Sequence, residues 1–276
     1  MLIQLDPLDY PIVRDLLHNL AEFELIIKAV IAGSSPAWVV VDDAAQPTSV
    51  LMCTAEGQFL GGNPENPGFW ADLRTLFFRA MNEEGFWQGG SALALFCTPG
   101  TWERKFPELF SGRQPVAIPR QHYLCSRLAI PDWRTRLPEG FTIRRIDQAL
   151  LTQPELDIPD HVTNWMRSNW GTPEAFLQSG FGFCIVHHRA AVSWCLADCA
   201  VGDQCEIGIQ TQPDYQRRGL ATLTAVAAAD YALSNGFKSV GWHCNADNLG
   251  SIGVALKVGF QKERDYMMYY LPLYEN

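Results

Sequence analysis

The stretch Cys205-Glu206-Ile207-Gly208-Ile209-Gln210-Thr211 reads as an apolar strand. After a short turn through Pro213 the chain continues Gln216-Arg217-Arg218-Gly219-Leu220-Ala221 into an alanine-rich helix. At such a junction several backbone N–H groups have no helical partner and point out of the helix start, where the helix dipole adds partial positive charge. That combination suits a phosphate or pyrophosphate. Gly219 lets a ligand approach the backbone where a Cβ would clash, and Ala221 is nearly as small. Glu206, in the preceding strand, sets an acidic group beside this anion site. The stretch therefore reads as a phosphate-bearing cofactor next to a base; by itself it is equally an ordinary helix start with two solvated arginines.

The downstream order shifts that balance. The helix Leu220–Ser234 stops at Asn235-Gly236, a C-terminal cap signal. A strand from Lys238 to Cys244 follows and ends in Asn245-Ala246-Asp247-Asn248-Leu249-Gly250-Ser251, a polar helix start whose helix runs on to Lys257-Val258-Gly259-Phe260. This order resembles the GNAT acetyltransferase superfamily. The family's marks are Gln/Arg-x-x-Gly-x-Gly/Ala at the cofactor helix, Asn-x-x-Ser at the next helix and a Lys-hydrophobic-Gly-Phe close. All three stand here in that order, over roughly the last half of the chain. Gly180–Cys184 ahead of a strand, the Glu206–Thr211 strand, and Trp242-x-Cys244 with Asn248 and Ser251 resemble one branch in particular, the zwittermicin-resistance-type acetyltransferases.

The resemblance implies an acetyl-CoA-dependent transfer to a small-molecule primary amine. In that reading Gln216, Arg217, Arg218, Gly219, Leu220 and Ala221 hold the pyrophosphate. Ile209, Gln210 and Thr211 pair with the pantetheine arm like an added strand, and Asn248 and Ser251 serve the same arm. Locally, Asn248 is also a helix cap with Ser251 in the first turn. Glu206 is the candidate general base, with Asn248 beside it in the catalytic set. Partial burial at a strand raises a carboxyl pKa, which fits a group that takes a proton from an ammonium directly or through water. Its plainer alternative is a surface-strand glutamate. Asp198 in the neighbouring strand is a candidate for binding a cationic amine, and Trp165 and Trp170 for lining the acceptor pocket, although tryptophans near a helix end also serve as packing. One departure stands out. Where many relatives place a tyrosine four residues beyond the serine to protonate the thiolate, this chain has Ala255; Tyr266, Tyr269 and Tyr270 of the last strand are the substitutes, or solvent is. His187 and His188 fall in a hairpin turn, and His243 reads as an interior histidine.

Two other functions are compatible with the same marks: a catalytically silent CoA-binding or sensor module, and an acyltransferase using a longer acyl-CoA donor. Composition narrows the field. With 276 residues, 47% hydrophobic and 18% charged, the chain is long enough for a full core. A formal net charge of −9 argues against nucleic acid and against an anionic membrane surface as partners. No secretory leader or spanning segment is legible. The eight cysteines sit mostly in apolar strand-like runs with no CxxC pair, so buried free thiols, no metal and a cytoplasmic setting are expected. A monomer or homodimer is the expected assembly.

The two halves look alike. Helix Trp70–Asn82, Gly85-Phe86, strand Ala92–Phe96 with Cys97, helix Thr101–Phe110 and a strand around Gln121–Arg127 parallel the Phe237, Cys244, Phe260 and Tyr266 landmarks of the second half. Ahead of the first-half helix, however, stands Gly61-Gly62-Asn63-Pro64-Glu65-Asn66-Pro67-Gly68-Phe69. It lacks the motif arginines, loses backbone donors to proline and carries Glu65, which repels phosphate. The expectation is an α/β (α+β, mixed-sheet) chain of tandem GNAT-like domains: a degenerate one at 1–130, a linker at 131–140 with proline at both ends, and an acetyltransferase domain at 141–276 that holds the acyl-CoA site. The acceptor pocket is expected at or near the junction of the two.

Overall fold

The structure, a computed structural model, describes residues 1–83, 85–87 and 90–274. It divides into two compact units, Met1–Pro119 with Tyr266–Asn276, and Arg120–Asp265.

The first unit contains strands β1 (Ile3–Gln4), β2 (Trp38–Val41), β3 (Ser49–Cys53), β4 (Gln58–Gly62) and β5 (Ala92–Cys97), ordered β1-β2-β3-β4-β5. Neighbours are antiparallel except β4 and β5, which are parallel. The outer edge of β5 is taken by the last strand of the chain, with Tyr269 opposite Leu95 and Pro272 opposite Ala92. Helices α1 (His18–Ala21), α2 (Leu25–Ile31), α3 (Pro67–Asn82) and α4 (Phe106–Leu109) complete the unit. The helical turn expected over Thr101–Phe110 starts as a tight 3₁₀ turn, Trp102–Lys105, because Pro107 supplies no donor to the first α turn. Phe69, Leu73 and Phe77 of α3 bury against Leu51, Leu60, Leu93 and Leu95 of the sheet.

The second unit contains β6 (Val116–Cys125), β7 (Thr142–Arg145), α5 (Gln148–Leu151), α6 (Asp160–Trp170), α7 (Pro173–Ser179), β8 (Gly182–His187), β9 (Ala190–Val201), β10 (Gln204–Thr211), α8 (Leu220–Ser234), β11 (Ser239–Asn245), α9 (Leu249–Val258) and the start of β12 (Gln261–Pro272). Its order is β7-β8-β9-β10-β11-β6, antiparallel except for the parallel pair β10 and β11. The two units thus repeat one plan: strand, helices, three antiparallel strands, helix, parallel strand, helix. In both, the strand that closes the parallel edge comes from the other half of the sequence. Cys125 to Arg120 of the first half lie against Val240 to Asn245, as Tyr269 to Pro272 of the second half lie against Leu95 to Ala92.

That exchange moves the boundary. The units part at Pro119/Arg120 and Asp265/Tyr266, whereas residues 131–140, which read as a linker, lie wholly inside the second unit. There Trp133 is buried and its indole donates to Asp230 Oδ2 at 3.2 Å, joined by an Arg134–Asp230 ion pair at 2.9 Å. Prolines and charges gave the segment a linker's composition; one aromatic anchor ties it to α8.

Side chains alternate along the strands with period two, so α6 and α8 can be assigned to opposite faces. Thr224 of α8 donates to Ser193, which shares a hydrogen bond with Thr211 opposite it. Trp165 of α6 covers Gly208, three positions away and therefore on the other face. All eight cysteines are free, seven of them buried. Among the described residues no helix is long and apolar enough to cross a membrane.

Candidate active site

The parallel ladder between β10 and β11 is short. Pairing runs from Gln204/Ser239 to Glu206/Gly241 and stops, although β10 continues to Thr211 and β11 to Asn245. Past that rung the edges of Ile209, Gln210 and Thr211 are no longer bonded to β11, so the two strands part there and leave strand edge without a ladder partner on that side. At its far end α8 begins. Gly219 is the N-cap residue in the left-handed region, φ +79°, and offers no side-chain cap; space beside its Cα is open for 4 Å. Arg217 is also left-handed, φ +61°. Backbone turned this way points successive N–H groups outward as an anion nest. Gln216 braces the turn by donating to the Thr211 carbonyl at 3.2 Å, and Arg218 donates to the Asp214 carbonyl while lying over the Tyr215 ring. Leu220 is buried and Ala221 partly so, which anchors the helix start to the core.

The corresponding helix start in the first unit, unlike that of α8, carries a side-chain cap. Asn66 caps α3 by accepting from the Phe69 N–H at 3.1 Å, Pro67 removes a donor, and Glu65 pairs with Lys105 at 2.7 Å.

Glu206 occupies the last paired rung, 5% exposed. It fits there because Gly241 stands opposite: a Cβ at 241 would lie 2.6 Å from Glu206 Cγ. Oε1 is 3.0 Å from His243 Nε2, and Oε2 accepts from the Cys199 thiol at 3.6 Å. Across the next rung His243 faces His122, and their rings stack at 4.5 Å, 15° from parallel. Burial drives the His122 pKa down to about 4, helped by His243 and Arg264 and opposed by Glu206. Its Nδ1 is buried with no hydrogen-bond partner. Cys199, Glu206, His243 and His122 thus form one polar row across β9, β10, β11 and β6, on the sheet face that α6 covers. His243 is interior, as its sequence implied, yet it is bonded to Glu206. Nothing in the sequence marks His122 except the alternation of the strand it belongs to.

The acceptor-side candidates separate. Trp165 and Asp198 meet, the indole Nε1 donating to Asp198 Oδ1 at 2.6 Å beside Gly208. Trp170 does not join them: it is 6% exposed, packs on Phe176 and donates to the Ala197 carbonyl. Val162, Met166 and Trp170, spaced by four, are the buried stripe of α6. Asn248 caps α9 by accepting from the Ser251 N–H at 3.0 Å, and Ser251 Oγ accepts from Trp242. Ala255 is fully buried. Of the tyrosines, Tyr266 packs on Phe23 and Phe96, and Tyr269 bonds Glu103, with its pKa raised to about 12 by burial and by that carboxylate. His187, expected in a solvated turn, stacks on Phe141 at 4.1 Å and bonds the Tyr215 hydroxyl; His188 and Arg189 form the turn with positive φ.

Comparison with known proteins agrees with this geometry. An uncharacterized N-acetyltransferase of Bacillus subtilis, YdfB, is 25% identical over 249 residues, which cover 88% of this chain and 89% of that protein. Among solved structures, a GCN5-related N-acetyltransferase-like protein from Streptococcus suis superposes with a TM-score of 0.67 at 21% identity, covering 94% of this chain and 99% of that one. A tandem GNAT protein from the clavulanic acid biosynthesis pathway gives 0.56 at 13% identity, covering 100% and 99%. Residues 15–269 match the family described as GNAT acetyltransferase, and the chain belongs to that family.

Proposed function

We propose that this protein transfers the acetyl group of acetyl-CoA to a small-molecule primary amine by direct attack, with Glu206 as general base. The observation that carries the reading is the position of Glu206: a buried carboxylate at the rung where the β10–β11 ladder ends. Attack on a thioester needs a neutral amine and a fixed thioester. The cleft edge of Ile209–Thr211 and the uncapped start of α8 fit the arm and the pyrophosphate of the co-substrate, and Asp198 with Trp165 offers an anionic, aromatic-lined place for the ammonium. The chemistry needs no metal. Asn248 contributes by holding the start of α9 beside the cleft strand β11, and Trp170 by fixing α6.

The shared plan of the two units supports a tandem pair of GNAT-like domains. The Asn66 cap and the Glu65–Lys105 pair support a first domain without an acyl-CoA site. Seven buried free thiols fit a reducing, cytoplasmic setting.

The test is thiol release by the full-length protein from acetyl-CoA across a panel of small primary amines, with Glu206→Gln alongside. Amine-dependent release that falls by ~10²–10⁴ in Glu206→Gln, with CoA affinity by calorimetry unchanged, is the expected result. CoA binding with no turnover on any amine would instead favour a sensor module.

A further inference from the structure

Glu206 is almost wholly enclosed, so a proton taken from an amine needs a route to it. His243 is the neighbour that provides one. Its side chain is 12% exposed against 6% for Glu206, and it lies two residues past the last paired rung, in the part of β11 that borders the cleft. We propose that Glu206 and His243 act as one base that holds a single shared proton, with His122 as a positioning residue that keeps the His243 ring flat against it. This rests on the acetyl-transfer reading above.

The geometry argues for sharing. An Nε2 to Oε1 distance of 3.0 Å puts a proton between imidazole and carboxylate within reach of either. The carboxylate favours an imidazolium beside it; the enclosed site disfavours two net charges. Two groups touch the pair directly, the Cys199 thiol on Oε2 and His122 stacked on the imidazole, and the Arg264 guanidinium acts on His122, which its charge depresses. A buried imidazole that stays neutral is an unreactive plate, so His122 fixes the orientation of His243 without competing for its proton. In the reaction, the ammonium N–H bond breaks and its proton passes to the dyad. The amine lone pair then forms the C–N bond as the thioester C–S bond breaks, and the second amine proton leaves with the thiolate as free thiol. One proton remains on the dyad and is returned to solvent.

The same three side chains hold donor atoms within 4.8 Å of one another, which is also a metal-ligand set. An imidazole nitrogen binds an ion in the plane of its ring, and two rings stacked 15° from parallel cannot both contain one ion. The arrangement therefore favours the proton relay over chelation.

Nitrogen-15 NMR of histidine-labelled, full-length protein tests this directly, across pH 4.5–9 in wild type, Glu206→Gln and His122→Phe. The expected result is a His243 midpoint that drops by about one unit or more when Glu206 loses its charge, with His122 neutral down to about pH 5. An unmoved His243 midpoint would overturn the coupling, and so would a stoichiometric metal found by elemental analysis in wild type and lost in His122→Phe. Kinetics with acetyl-CoA and the best amine of the panel separate this inference from the one beneath it. His243→Gln keeps a hydrogen bond to Glu206 but cannot titrate, and should lower kcat about 10²-fold with its acid limb displaced and CoA affinity intact. If Glu206→Gln is impaired while His243→Gln is not, the shared base fails and Glu206 acts alone. If neither is impaired, the Glu206 assignment itself fails.

Discussion

The indole of Trp165 reaches Asp198 at 2.6 Å only because residue 208 has no side chain. A Cβ there would sit 2.2 Å from Trp165 Cζ2 and 3.0 Å from Asp198 Oδ2. Gly208→Ala should therefore push the ring off Asp198, at a cost of ~1–3 kcal/mol in stability from overpacking. If these two residues hold the amine, the acceptor KM rises at least about tenfold while CoA affinity is unchanged. Initial-rate kinetics and calorimetry on one preparation read both; an unchanged acceptor KM would remove Trp165 and Asp198 from the acceptor site.

Gly219 tests the anion site. Its φ of +79° is one that Asn and Asp tolerate at a cost of about 1–2 kcal/mol. If the start of α8 holds the pyrophosphate of CoA, Gly219→Asn should fold and still bind CoA, weakened by less than about tenfold, whereas Gly219→Asp would set a carboxylate against the phosphates and should abolish binding. Equal affinities for the two variants would place the pyrophosphate elsewhere.

His122 gives the fold a pH dependence. Its pKa in the folded protein is about 4, below the ordinary 6.5, so between those values the unfolded chain binds the extra proton and the folded one does not. Its contribution is therefore present above about pH 6.5 and lost as pH falls toward 4, with a limiting slope of about 1.4 kcal/mol per pH unit. Denaturant titrations at a series of pH values should show this slope in wild type and a flatter one in His122→Phe. Parallel slopes would mean that His122 is not held neutral.

Tyr266 is held by ring contacts, 4.8 Å from Phe23 and 6.3 Å from Phe96. Tyr266→Phe keeps the ring and removes the hydroxyl. We expect the alkaline limb of the pH–rate profile to survive that change. Its loss, together with a large fall in kcat, would show that the acid missing at Ala255 had moved to this strand.

Much of this was legible in the residues. Helix Leu220–Ser234 has the bounds its sequence gave, because a glycine starts it and Asn235-Gly236 ends it. The placement of Glu206 in the strand ahead of that helix was legible too, because the strand leads into it through a short turn. His122 was not, because its relation to Glu206 depends on which strand lies beside β11, and a strand's neighbour in a sheet is not encoded in its own alternation. Trp170 illustrates the opposite error. Its spacing from Val162 and Met166 marks a core stripe, and that periodicity outweighs the attraction of a tryptophan near a helix end.

The exchange of closing strands sets an order for synthesis. Residues leave the ribosome from the N-terminus, so β1 to β5 are available first. Yet β5 keeps an unbonded edge until Tyr269–Pro272, far later in the sequence, arrive, and an open edge invites pairing with other chains. The second unit has no such wait, since β6 already exists when β11 emerges to pair with it. The portion made first is the last to be sealed, and a chain cut short near its C-terminus strands its opening half with a sticky flank rather than merely losing a tail.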